Sequence, residues 1–110
     1  MEIIPAILPK NFKEIEEKVA QVAGLSSTVQ IDLVDGIYAP NQTWPFNEKD
    51  SAIFDELMNE ERAMPYWDTI DYEFDLMIKD SDLWLDRIAR LGAKRIIFHL
   101  KSIKNPVRFF

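Results

Sequence analysis

The 110-residue sequence contains no cysteine, a single histidine and only three glycines. Without cysteine there is neither a disulfide framework nor thiolate chemistry. So little glycine, together with 47% hydrophobic and 29% charged residues, excludes a low-complexity or largely disordered chain. Positive charge is scarce as well: 13 Lys and Arg stand against 19 Asp and Glu, for a formal net charge of −6. Such a chain has no bulk electrostatic reason to seek nucleic acid or an anionic membrane, although a local site can still be positive enough for a phosphorylated ligand. No apolar run approaches the ~20 residues that span a bilayer. The opening MEIIPAILPKNF lacks the basic start and long apolar stretch of a signal peptide. The expectation is one soluble cytoplasmic domain over residues 1–110, with no nucleic-acid or membrane partner.

What is present is an alternation of short strands and amphipathic helices. Residues 3–8 (IIPAIL) form an apolar, strand-like run, with Pro5 at an edge or strand start. In 11–23, Phe12, Ile15, Val19 and Val22 fall at helical spacing, Asn11 and Glu14 resemble a capping box, and Gly24 is a natural stop. Residues 28–34 (TVQIDLV) are a second strand, followed by a long loop at 35–49. Residues 50–61 read as a helix opened by Asp50, 62–70 as irregular, and 71–77 (DYEFDLM) as a third strand. A helix is expected over 81–91, capped by Asp80, carrying a Trp84/Ile88/Leu91 stripe and ended by Gly92. Residues 94–100 (KRIIFHL) are a fourth strand, and Asn105-Pro106 is placed to open another helix. The order β-α-β-α-β-α-β argues for a parallel sheet with crossover helices in one domain.

Alternate side chains of a strand share a face. Val29, Ile31 and Leu33 then oppose Gln30, Asp32 and Val34. Tyr72, Phe74 and Leu76 oppose Glu73, Asp75 and Met77, while Ile96 and Phe98 oppose Ile97 and His99. One face is apolar and the other collects Gln30, Asp32, Glu73, Asp75 and His99 towards the strand C-termini. An open sheet covered on both sides would bury these carboxylates at high cost. A (β/α) barrel of TIM type resolves the conflict, because helices cover its outer face and its C-terminal rim hosts polar chemistry. Asp32 is the leading site candidate, with Asp75 and His99 behind it. Glu73 reads as an ion-pair partner, Asp35 as the cap of its own turn, and residues 55–61 as a solvated acidic helix face. Trp44, Tyr66 and Trp67 lie in loops, where packing at the surface is expected.

These residues resemble the ribulose-phosphate 3-epimerase family. IIPAILPKNF is similar to the family's opening, VQIDLVDGIYAPNQT to its second-strand His-x-Asp-x-Met-Asp-Gly-His-Phe-x-Pro-Asn, and FDLMI to its third-strand x-His-Leu-Met. Asp80 to Trp84 sits where the family has Asn-Pro-x-x-Trp, and RIIFHL resembles its fourth-strand Phe-His. The resemblance implies a (β/α)8 barrel that interconverts ribulose 5-phosphate and xylulose 5-phosphate, with two aspartates as acid and base at C3 and a divalent metal stabilising the enediolate. It makes Asp32 one catalytic aspartate. It places Ala6, Leu8, Val34 and His99 against substrate, and Asp32, Asp75 and Gln30 at the metal.

The sequence also departs from the family pattern. Gln30 and Asp75 replace the two metal-binding histidines, Ala6 replaces a substrate-contacting serine, Val34 a methionine and Ile37 a histidine. Asp35-Gly36, Pro40-Asn41 and His99 match. The oxygen-rich set favours Mg²⁺ or Mn²⁺ over Zn²⁺ as cofactor. Without a metal, Asp32 and Asp75 should repel, raising one pKa. Barrels of this type run to about 250 residues, about 200 at the short end, so the implied seventh-strand Asp and phosphate loops fall beyond Phe110. The expectation is a truncated N-terminal half, inactive by itself, or a half-barrel that pairs with a second copy. Two functions stay open: an isomerase acting on a phosphorylated sugar, and a non-catalytic barrel that binds one or serves as a structural partner. Related decarboxylase and hexulose-phosphate synthase barrels place a lysine in the aspartate cluster; no lysine lies between Lys18 and Lys49, which counts against them.

Overall fold

The computed structural model describes residues 4–47, 52–102 and 104. Its order is β1 (Ala6–Ile7), α1 (Phe12–Val22), β2 (Thr28–Val34), α2 (Ala52–Met58), β3 (Asp71–Met77), α3 (Leu85–Arg90) and β4 (Ala93–Phe98). Short 3₁₀ turns lie at Ser81–Trp84 and Leu100–Ser102. The strands form one sheet in the order β1-β2-β3-β4, every pair parallel. Each crossover therefore steps to the next strand in one direction. A doubly wound sheet reverses at a switch point; single winding is how a barrel wall is laid down. The expected fold class, a partial (β/α) barrel, is the fold observed.

The helix-facing side of the sheet is the core. Ile7, Val29, Ile31, Leu33, Tyr72, Phe74 and Leu76 are buried there, against Phe12, Ile15 and Val19 of α1, Phe54 and Leu57 of α2 and Ile88 of α3. Burial of each large side chain contributes roughly 1.5–3 kcal/mol. Helix α1 starts as its sequence suggests: the Asn11 side-chain oxygen accepts from the Glu14 N–H at 2.8 Å, one of the orphan donors of a first turn. Gly92 takes φ of +88° after α3, a left-handed stop that costs a side-chain-bearing residue energy.

Several boundaries differ from expectation, each for a local reason. β1 is two residues long rather than spanning 3–8. Pro5 has no N–H to give a ladder, and only its carbonyl joins, accepting from Gln30 N at 2.8 Å. The helix expected over 81–91 opens as a 3₁₀ turn, and Asp80 is not its side-chain cap, because Asp80 stands at φ 55°, ψ 46° with no capping bond. The neighbouring Asp82 instead accepts from Lys104 N at 2.8 Å. β4 stops at Phe98 because the chain turns there, with Ser102 N donating to the His99 carbonyl at 2.8 Å. Trp44 is not at the surface but 0% exposed, its ring 5.4 Å from Phe12 and 5.9 Å from Phe54. The loop folds inward because Thr43 N donates to Val34 O and Trp44 N to Pro9 O. The expected Asp50 cap, residue 3 of the first strand and the Asn105-Pro106 helix start lie outside the described residues.

Candidate active site

The sheet face away from the helices carries the polar residues in register. Gln30 pairs with Glu73 and Asp32 with Asp75 across β2 and β3, and Glu73 pairs with Arg95 across β3 and β4. Strand pleating puts all of them on one side, and parallel strands put their C-terminal ends at one rim.

Each polar group has a defined partner. Gln30 Nε2 donates to Asp32 Oδ1 at 2.8 Å. Arg95 donates to Glu73 Oε1 at 3.2 Å, the ion pair expected of Glu73. His99 Nε2 meets Asp75 Oδ1 at 2.8 Å; a carboxylate accepts, so this nitrogen carries a hydrogen. The Tyr38 ring packs on the same imidazole at 5.7 Å between centroids.

The two aspartates of the second-strand motif live in opposite environments. Asp32 is 8% exposed. Burial pushes its carboxyl above the ordinary 3.8; the Gln30 amide opposes this, and the charge of Asp75 adds to it. The mutual repulsion expected of this pair is thus present, but desolvation is the larger cause. Asp35 is also pushed up by its partial burial, yet backbone N–H donors from Lys79, Ile37 and Tyr38 outweigh that and hold it below 3.8. Its Oδ1 accepts from Ile37 and Tyr38 at 2.8 and 3.0 Å, and its Oδ2 from Lys79 at 2.8 Å. Asp35 therefore caps its own turn and also ties the loop after β2 to the loop after β3. Gly36 beside it has φ of +81°, and an added Cβ would stand 3.3 Å from the Asn41 carbonyl, so the turn needs glycine.

The remaining sequence candidates are spread around this cluster. Ala6 is exposed on β1, in register with Gln30. Leu8 is 52% exposed just beyond it, and Val34 is only 2% exposed, its N–H bonded to Thr43 Oγ1 at 2.9 Å. Ile37 is 72% exposed. The sequence reading missed three supporting residues. Tyr38 and Thr43 sit in a loop without periodicity. Arg95 falls in the fourth strand, where its alternation with Ile97 could have placed it on the polar face.

The arrangement can hold and move a proton at Asp32, a carboxyl whose pKa is shifted towards neutrality. As a metal cage it is incomplete: among the described residues no group of three or more His, Asp or Glu is arranged to hold an ion. No helix among them is long and apolar enough to cross a membrane.

Comparison with known proteins agrees with the fold. A family model described as "Ribulose-phosphate 3 epimerase family" matches residues 2–110. A curated ribulose-phosphate 3-epimerase from Eremothecium gossypii is 25% identical over 108 residues, covering 96% of this chain and 44% of that protein. The chain thus spans less than half the length of the curated relative it matches.

Proposed function

The chain belongs to the ribulose-phosphate 3-epimerase family, and from that premise we propose that it is the N-terminal half of a (β/α)8 barrel that interconverts ribulose 5-phosphate and xylulose 5-phosphate. Asp32 takes the proton from C3. The C–H electrons form the C2–C3 double bond, and the carbonyl pair moves onto the C2 oxygen, giving an enediolate. Return of a proton to the opposite face of C3 inverts that centre. By the resemblance, a second aspartate from the other half of the barrel performs the return, and the phosphate loops come from there too. Residues 1–110 alone are therefore not expected to turn over substrate efficiently. In the proposed barrel, the outer edges of β1 and β4 pair with the strands of the other half.

The observation that carries this reading is Asp32 itself: nearly buried on the helix-free face, at the C-terminal end of β2, with its pKa raised by burial and by Asp75. The test is deuterium wash-in at C3 of ribulose 5-phosphate in D₂O, followed by NMR, in the full-length protein. Exchange is expected, and Asp32→Asn should reduce it by roughly 10²–10⁴-fold, the usual worth of a positioned acid or base. No exchange on any pentulose phosphate would overturn the reading.

One observation favours the second function, a non-catalytic barrel. Ala6 exposes a methyl group in register with Gln30, where the resemblance places a serine hydroxyl against substrate. That reading predicts sugar-phosphate binding without deuterium entering C3.

A further inference from the structure

The positions that the resemblance assigns to metal-binding histidines carry Gln30 and Asp75, and both are committed to other side chains. Gln30 turns its amide N–H towards Asp32 at 2.8 Å. That group is a hydrogen donor, which suits a carboxylate and repels a cation. Asp75 is bonded through Oδ1 to His99 Nε2 at 2.8 Å, the two side chains 18% and 38% exposed. One oxygen of each carboxylate, Asp32 Oδ1 and Asp75 Oδ1, is therefore already engaged by a hydrogen donor.

His99, for its part, is held from three directions. Asp75 fixes one ring nitrogen. Tyr38 covers the ring at 5.7 Å and is itself anchored by its N–H to Asp35 Oδ1 at 3.0 Å. The His99 carbonyl accepts from Ser102 N and Oγ, each at 2.8 Å, and Ser102 in turn meets the fully buried Ser81 at 2.6 Å. Asp75 and Tyr38 thus hold the imidazole, while Ser102, backed by Ser81, holds the His99 backbone.

We infer that Asp75 is a positioning residue for His99 rather than a ligand to a resident divalent metal, and that the Gln30–Asp32 and Asp75–His99 pairs together occupy this rim. Asp75 selects the tautomer with hydrogen on Nε2 and fixes the orientation of the ring. The inference concerns the state of the rim and stands apart from the reaction proposed above, so C3 exchange does not decide it.

The test is NMR of the His99 imidazole, its resonances assigned by their loss in His99→Gln. In the wild-type protein the nitrogen shifts should report the Nε2–H tautomer, and addition of equimolar Mn²⁺ should leave the ring signals no broader than those of surface residues. Asp75→Asn should shift the tautomer towards a mixture. Selective broadening of His99 by substoichiometric Mn²⁺, or a tautomer unchanged in a folded Asp75→Asn variant, would overturn the inference. If that variant fails to fold, the wild-type Mn²⁺ titration still decides the metal question.

Discussion

On the helix-covered face of the sheet, Ile31, Leu33, Phe74 and Leu76 are all 0% exposed and belong to one apolar cluster. On the opposite face of the same strands, the residues between them meet single, named partners: Gln30 with Asp32, Glu73 with Arg95, Asp75 with His99. The first face is held by volume and burial, which many apolar side chains can supply. The second is held by donor–acceptor pairs, which only particular residues supply. Stability is therefore expected to reside on one face and proton chemistry on the other.

The largest effect is expected from a cut in the apolar face. Phe74→Ala removes a fully buried ring and should cost about 3–5 kcal/mol in denaturant unfolding. If it cost no more than an exchange on the polar face, the division would fail. Next comes Asp35→Ala, which strips the acceptor from the backbone N–H groups of Ile37, Tyr38 and Lys79 and should cost roughly 1–3 kcal/mol. Because the folded-state pKa of Asp35 lies below 3.8, its stabilisation is present in full above that value and lost as pH falls through the depressed one. The deficit of the variant should accordingly shrink in strong acid, as read by melting curves across pH. Smaller again is Glu73→Gln. Its partner Arg95 is 66% exposed, so the exchange should cost no more than about 1 kcal/mol.

Legibility in the sequence followed the same division. β2 and its two faces could be read directly, since Val29, Ile31 and Leu33 alternate without interruption and a period of two has one interpretation there. The Asn11 cap was also legible, because its partner Glu14 is three residues away. The burial of Trp44 was not: its position depends on backbone bonds to Pro9 and Val34, and loops offer no period to read. Asp80 misled because cap preference assumes extended backbone at the cap, whereas this residue is left-handed. The Asp75–His99 pair lies 24 residues apart, and only the parallel alignment of β3 with β4 brings it together. Asp32 stood out because a carboxylate in an apolar strand conflicts with burial. The resemblance gave it a role, but its bond to Gln30 and its closeness to Asp75 emerged only with the register.

The smallest expected effect on stability is at Asp32, and it is the most informative. Its raised folded pKa means that its contribution is present below 3.8 and lost as pH rises through the raised value. Asp32→Asn should therefore melt no lower than the wild type at neutral pH, with the gap closing or reversing in acid. The decisive measurement couples that melting curve to deuterium wash-in at C3 of ribulose 5-phosphate for the full-length pair. The account predicts that Asp32→Asn keeps its melting temperature and loses exchange. A variant that still exchanges at the wild-type rate, or one that loses exchange only because it has unfolded, would contradict the separation of fold and chemistry between the two faces.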